Sequence, residues 1–171
     1  MAPRETLSQR NGFTGPEPEI TIRQDVPPAV RGALPDIAYE CGLRPTDLRA
    51  ILCRLLREQP DRDNWSEWPN VANEVASLVG LCEWFEIYDF VERLYDALPE
   101  PTAFDESDDR RARFEAEVNR LFRRRGVGWQ LTEGEIRVRG PEAFEQAVTV
   151  ATSALEQSGH ATAQREIHQA L

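Results

Sequence analysis

The sequence predicts a mainly α-helical fold with a small β component. Apolar residues recur at steps of three and four along most of the chain, which is the period of amphipathic helices. Alternation of apolar and polar residues occurs in short segments only, and prolines and glycines separate the elements. We therefore expect a helical domain of about six to seven helices with a β-hairpin. The sheet has either two strands or, with an N-terminal strand, three.

Length and composition set the expected domain count. With 171 residues, of which 40% are hydrophobic, the chain can bury one core of adequate size. We expect a flexible N-terminal arm over 1–17, a single helical domain over 18–158 with its hairpin at about 127–139, and a terminal helix over 159–171. That last helix either closes the domain or begins a linker to a further C-terminal domain.

The first part of the domain should contain one strand and three helices. Isoleucines alternate with polar residues over 19–23 and predict the strand. A helix follows the proline pair at 27–28, and Pro35 predicts a kink or a restart within it. Pro45 and Pro69 suit the first turns of the next two helices, because the N–H that proline lacks has no helical partner at that position.

The segment from Trp84 to Tyr95 is the most informative stretch, since it places five aromatic residues in one helical pattern. Its apolar face is so broad that we expect a central helix contacted by several others. The acidic residues along its other side form a face and not a converging site, so no catalytic carboxylate pair is expected there. Glu92, flanked by bulky residues, is expected to be a partly buried structural partner for an arginine.

Residues 110–125 are the most basic part of an acidic chain. Seven arginines and two glutamates give this segment a formal charge of +5, and the net charge of −10 then leaves −15 for the rest. A hairpin is predicted next, because apolar and polar residues alternate over 127–131 and 135–139. A helix followed by such a hairpin is also the arrangement with which winged-helix proteins contact phosphates. The candidate contacts to nucleic acid or to a partner are Arg110, Arg111, Arg113, Arg120, Arg123, Arg124, Arg125, Arg137 and Arg139.

A second interpretation of the basic segment is structural. Arginines at the end of a helix complement the helix dipole, and they can pair with the acidic loop over 105–109 or with a partner protein. The net charge of −10 also argues against general affinity for nucleic acids or anionic membranes. Nucleic-acid binding would therefore need the local basic patch.

No catalytic residue, cofactor or metal site is predicted. Metal ligation needs closely spaced ligands, whereas the only histidines, His160 and His168, lie far from every cysteine and are expected at the surface. The sequence lacks a glycine-rich phosphate loop. Three cysteines are widely spaced in apolar patterns and are expected to be reduced core thiols: Cys41, Cys53 and Cys82.

Three tryptophans outside the aromatic segment allow two interpretations. Trp65, Trp68 and Trp129 would stack on bases or on a ligand if they were exposed. Tryptophans at the edges of apolar stripes more often close a core, and we favour that interpretation for all three.

Several segments together resemble one known family. The segments over 7–12, 22–25 and 30–34, the aromatic helix from Trp84 to Glu92, and the helix and hairpin over 114–136 are similar to the N-terminal domain of bacterial AbiJ-type abortive-infection proteins. The resemblance implies a non-enzymatic sensor, regulatory or protein-interaction module of a phage-defence system.

In that family a HEPN ribonuclease domain follows the module, and its active site uses an arginine and a histidine. The nearest pair in this chain, Arg165 and His168, is spaced too closely for that motif, so the resemblance implies no ribonuclease activity here. The expected partner is a protein, either an effector ribonuclease or a phage protein, with nucleic acid as the alternative and a homo-oligomer also compatible. The sequence lacks a signal peptide and a long apolar run, which predicts a cytoplasmic protein without membrane contact.

Overall fold

The computed structural model describes residues 18–99 and 109–140. These residues form α-helices and one antiparallel hairpin, so the predicted class, mainly α with a small β component, is confirmed. The elements are α1 (Pro28–Glu40), α2 (Pro45–Leu56), an irregular turn (Glu67–Val71) in which Trp68 has an extended backbone, α3 (Ala72–Leu81), α4 (Trp84–Ala97), α5 (Arg110–Arg124), β1 (Trp129–Thr132) and β2 (Glu135–Val138).

The expected count of six to seven helices is too high for the described residues, which contain five α-helices. Both further helices were predicted beyond residue 140 and lie outside the described residues, as do the predicted arm over 1–17 and most of the acidic loop over 105–109.

The expectation of a third strand over 19–23 is wrong. Ile22 forms only an isolated parallel bridge with Val127, and the sheet has two strands. The backbone N–H groups of Thr21 and Ile22 both donate to the carbonyl of Gly126. The N–H of Gly128 donates to the carbonyl of Ile22 at 2.7 Å, and the pairing then ends. The carbonyl of Gly128 accepts instead from the backbone N–H of Arg139 at 2.9 Å and from the Arg23 side chain at 3.3 Å.

The sequence predicted a kink or a restart at Pro35, and of these two the restart does not occur. α1 continues through this proline as one element, although the ring removes an N–H from the helical hydrogen-bond ladder. Val30, Leu34 and Ala38 on the same helix are fully buried. Their burial offsets the lost hydrogen bond, since apolar packing supplies most of the stability of a protein helix.

The helices pack so that α1 separates α3 from α5. α1 contacts both of these helices, whereas α3 and α5 make at most marginal contact with each other. The side of α1 that carries Arg31 faces α3, because the Arg31 guanidinium donates to the carbonyls of Val79 and Cys82 at 3.1 and 2.6 Å. On the other side, the guanidinium of Arg110 on α5 lies against Gly42, just after α1.

The aromatic helix is central, as predicted. Ile87, Phe90, Val91 and Leu94 of α4 are fully buried. Tyr88 lies among the rings of Trp84, Phe122 and Trp129, with centroids about 6 Å away. The core therefore surrounds α4 and contains buried side chains from all five described helices and from β1.

The hairpin is bound to α4 and α5 by side chains that pair with its backbone. Asn119 on α5 accepts from the N–H of Leu131 and donates to its carbonyl, both at 2.7 Å. Glu92 on α4 accepts from the N–H of Ile136 at 2.7 Å. The expected partner of Glu92 was an arginine, but its carboxylate accepts a backbone N–H instead, because Glu92 faces the start of β2.

The three cysteines are free and buried, as predicted. Burial raises the pKa of the Cys82 thiol to about 11, which keeps it protonated at neutral pH.

Candidate interaction surfaces

Three of the nine candidate arginines form a stripe on the outer face of α5. Phe114, Val118 and Phe122 turn one side of the helix towards the core. Arg113, Arg120 and Arg124 lie on the opposite side, at helical spacing, and all three are exposed. We call this set the arginine stripe. It extends over about 16 Å of helix.

Carboxylates of the described residues neutralise little of the positive charge of the arginine stripe. Arg120 pairs with Glu117 at 3.2 Å, while Arg113 and Arg124 form no ion pair with any described residue. Arg125 caps the helix and is also exposed.

Other candidate arginines are used within the fold. Arg111 donates to the carbonyl of Leu98 at 3.0 Å and lies over the ring of Tyr95 at 5.4 Å. Arg139 is only 2% exposed and donates to the carbonyl of Val127 at 3.1 Å. The alternation that placed Arg139 beside Arg137 fails because β2 ends at Val138. Arg110 lies against Gly42, and Arg123 is half-buried.

The hairpin adds little positive charge to the stripe. Glu133 and Glu135 lie at its turn and are exposed, and Arg137 pairs with Glu135 at 3.0 Å. The N–H of Glu133 also donates to Glu115 on α5, so the turn approaches an acidic part of that helix. A wing of this composition would repel phosphates more than it attracts them.

A second surface lies on the loop that precedes α3. Trp65 is 87% exposed and Trp68 is 58% exposed, so the expectation that these two tryptophans close the core is wrong. Trp129 does pack against the core and donates its indole N–H to the carbonyl of Arg23 at 2.7 Å. We call Trp65, Trp68 and the adjoining Tyr39 the tryptophan surface.

The tryptophan surface is held in place from both sides. The edge of Trp68 packs against the ring of Tyr39, with centroids 4.9 Å apart. Glu74 on α3 accepts from the N–H of Asp61 and the amide of Asn64, and pairs with Arg49 at 3.2 Å. Burial opposes ionisation of Glu74, but these bonds outweigh it and lower the pKa of its carboxyl.

Beside the tryptophans, the outer side of α3 is open and carries no unpaired charge. A shallow groove there is lined by three asparagines, a serine and the paired Glu74, and Leu81 extends the uncharged face to the end of the helix. The residues that line the groove are Asn64, Asn70, Asn73, Glu74 and Ser77.

Comparison with known families identifies the chain. Residues 5–154 match the model of the AbiJ N-terminal domain 4 family. The chain belongs to that family. No curated protein and no solved structure gives a match. Membership of the AbiJ family confirms the resemblance drawn from the aromatic helix and the hairpin, and it sets the domain in the context of abortive-infection defence.

Within the described parts of this AbiJ domain, no three side chains of the metal-binding types are grouped to hold an ion. In the same residues, no helix is long and apolar enough to cross a membrane. His160 and His168 lie outside the described residues.

The tryptophan surface was the feature that the sequence interpretation missed. A signal for it was present: Trp65 and Trp68 fall in a charged segment that precedes Pro69, the residue expected to begin the next helix. Residues that precede a helix have no helical face to carry them into a core.

Proposed function

We propose that this AbiJ domain is a non-enzymatic regulatory module of an abortive-infection system, and that it acts by binding protein through the tryptophan surface. The observation that carries the proposal is the exposure of two tryptophans on an anchored loop. Tryptophan is among the residues most enriched where protein interfaces derive their binding energy.

The fixed position of the loop supports a binding role. A surface that is already ordered loses less conformational entropy when a partner binds. Glu74, Arg49 and Tyr39 provide that order, since they hold the loop and the ring of Trp68. The outer face of α3 beside the tryptophans, where Glu74 is already paired with Arg49, offers a partner further area that costs little to desolvate.

Phage challenge of bacteria that carry the chain with its neighbouring genes tests the proposal. We expect Trp65→Ala/Trp68→Ala to lose most of the protection while the purified protein keeps its helical circular dichroism. The matched control is Phe85→Ala, which removes another exposed aromatic side chain, 49% exposed, from the start of α4. Full protection by the tryptophan variant would refute the proposal.

A second candidate function is binding of nucleic acid through the arginine stripe. It is favoured by one observation, the exposure of Arg113, Arg120 and Arg124 on a single face of α5. Three phosphate contacts would make affinity fall with salt at a log–log slope of roughly −2 to −3. The exposed glutamates of the hairpin turn and the burial of Arg139 argue against this function. They leave the hairpin without the positive charge that a phosphate-binding wing needs.

Fluorescence anisotropy with labelled RNA and DNA oligonucleotides tests this alternative. If it holds, Arg113→Glu/Arg124→Glu abolishes binding, and the control Arg93→Glu/Arg137→Glu does not. Equal binding by the two variants, or none by the unmodified chain at low salt, rejects it.

A further inference from the structure

We infer that the tryptophan surface of one copy of this chain binds the arginine stripe of a second copy. The inference rests on the proposed function, because it names the protein that the tryptophan surface binds. It makes the domain a self-associating unit in which each copy offers one surface of each kind.

The two surfaces have opposite charge. Residues 36–40 and 57–68, with Arg44, which pairs with Glu67, surround the tryptophans and carry six carboxylates and three arginines, a formal charge of −3. Residues 113–125 carry five arginines and two glutamates, a formal charge of +3. A chain with a net charge of −10 repels its copies in most orientations, so this pairing is favoured over others.

The side chains also match in kind. A guanidinium is planar and weakly hydrated, and it stacks on the face of a tryptophan ring more favourably than on other aromatic rings. Arg120 and Arg124 are one helical turn apart, about 6 Å along the helix, so neighbouring guanidinium groups can contact neighbouring rings. Asp61 and Asp63, exposed on the loop that leads to Trp65, lie where they can pair with the same arginines.

Contact within one copy is disfavoured by the packing. The tryptophan surface lies on the α3 side of α1, where Trp68 meets Tyr39, and the stripe lies on the outer face of α5, across α1. Because the two surfaces differ and lie on different sides, their pairing between copies is head to tail. Such an interface adds copies until a ring closes or a chain grows.

Sedimentation velocity of the purified full chain over a hundredfold concentration range provides the first test. We expect a mean mass that rises above 19.5 kDa with concentration. Two variants should each weaken association by about tenfold or more, as expected for loss of central interface residues. These are Trp65→Ala/Trp68→Ala and Arg113→Glu/Arg124→Glu.

Matched controls separate the contact from general repulsion. Arg113→Glu/Arg124→Glu changes the formal net charge from −10 to −14, and Arg93→Glu/Arg137→Glu makes the same change with exposed arginines elsewhere. Phe85→Ala removes an exposed aromatic side chain that lies outside the tryptophan surface and the face of α3. Both controls should associate much as the unmodified chain does.

Mixing the two disabled variants gives the sharpest test. The arginine variant keeps its tryptophan surface, and the tryptophan variant keeps its arginine stripe. A head-to-tail contact therefore predicts 1:1 dimers in the mixture, of about twice the chain mass, at concentrations where each variant alone is monomeric.

The inference is overturned if the unmodified chain stays monomeric at every concentration, if oligomers survive both variants, or if the mixture stays monomeric. It is overturned in favour of nucleic acid if Arg113→Glu/Arg124→Glu loses oligonucleotide binding and keeps its association. Loss of phage protection in the tryptophan variant of a monomeric chain would leave the proposed function standing and end only the self-association.

Discussion

Two groups of aromatic residues in this domain have opposite surroundings. The rings of α4 are buried or half-buried apart from Phe85, with Phe90 fully enclosed and Tyr88 within about 6 Å of three other rings. Trp65 and Trp68 precede α3 and are largely exposed. Residue type is therefore a poor guide to burial here, and position inside a helix is a better one.

The difference has a simple physical origin. A helix carries residues at steps of three and four to one side, so the aromatic residues of α4 bury area together. In the loop before α3 the chain instead binds through polar groups to Glu74 and Arg49. Those bonds hold the backbone near α3 and leave the indole of Trp65 outside the core.

The largest expected effect on stability separates a buried ring of α4 from an exposed ring of the loop before α3. Phe90→Ala should lower the free energy of unfolding by about 3–5 kcal/mol, because it leaves a cavity in the core. Trp65→Ala should change it by about 0.5 kcal/mol or less. Urea denaturation followed by circular dichroism measures both free energies. Circular dichroism is used because Trp65→Ala removes a fluorescent side chain. A loss above roughly 2 kcal/mol for Trp65→Ala would break the distinction between the two groups.

A smaller effect is expected at the anchor of the tryptophan surface. Glu74→Gln removes a charge that pairs with Arg49 and receives bonds from Asp61 and Asn64. We expect it to lower the free energy of unfolding by about 1–3 kcal/mol, as for the loss of a hydrogen-bonded charge. The control Glu67→Gln, at the exposed pair with Arg44, should cost much less.

The pH dependence of this effect has a definite sign. The pKa of Glu74 is lower in the folded chain than its ordinary value of 4.5, so its ionised form stabilises the fold. The difference between the unmodified chain and Glu74→Gln should be complete above pH 4.5 and shrink as the pH falls through the folded pKa. Urea midpoints at several pH values measure it, and a difference that grows in acid would contradict the assignment.

The sequence predicted those parts of the molecule that depend on local periodicity. The five described helices and the hairpin follow from apolar spacing and from the prolines and glycines between elements. The errors arose where tertiary contacts decide. The carbonyl of Gly128, which would continue the pairing beyond Ile22, is bound by the backbone N–H of Arg139 and by the Arg23 side chain, and the Arg139 side chain turns inward just after β2 ends. Neither contact is visible in a pattern of residue types.

The smallest expected effect distinguishes two tyrosine hydroxyls, one from each region. The hydroxyl of Tyr88 donates to the carbonyl of Asp25 at 3.0 Å, so Tyr88→Phe should lower the free energy of unfolding by about 1 kcal/mol. The buried hydroxyl of Tyr39, beside Trp68, has no hydrogen-bond partner among the described residues, and burial raises its pKa to about 12. Removing a desolvated, unbonded hydroxyl costs nothing, so Tyr39→Phe should be neutral or stabilising by up to about 1 kcal/mol. Urea midpoints of the two variants give the comparison. Equal destabilisation by both would mean that Tyr39 is bonded after all, and that its ring is fixed beneath Trp68 by more than packing.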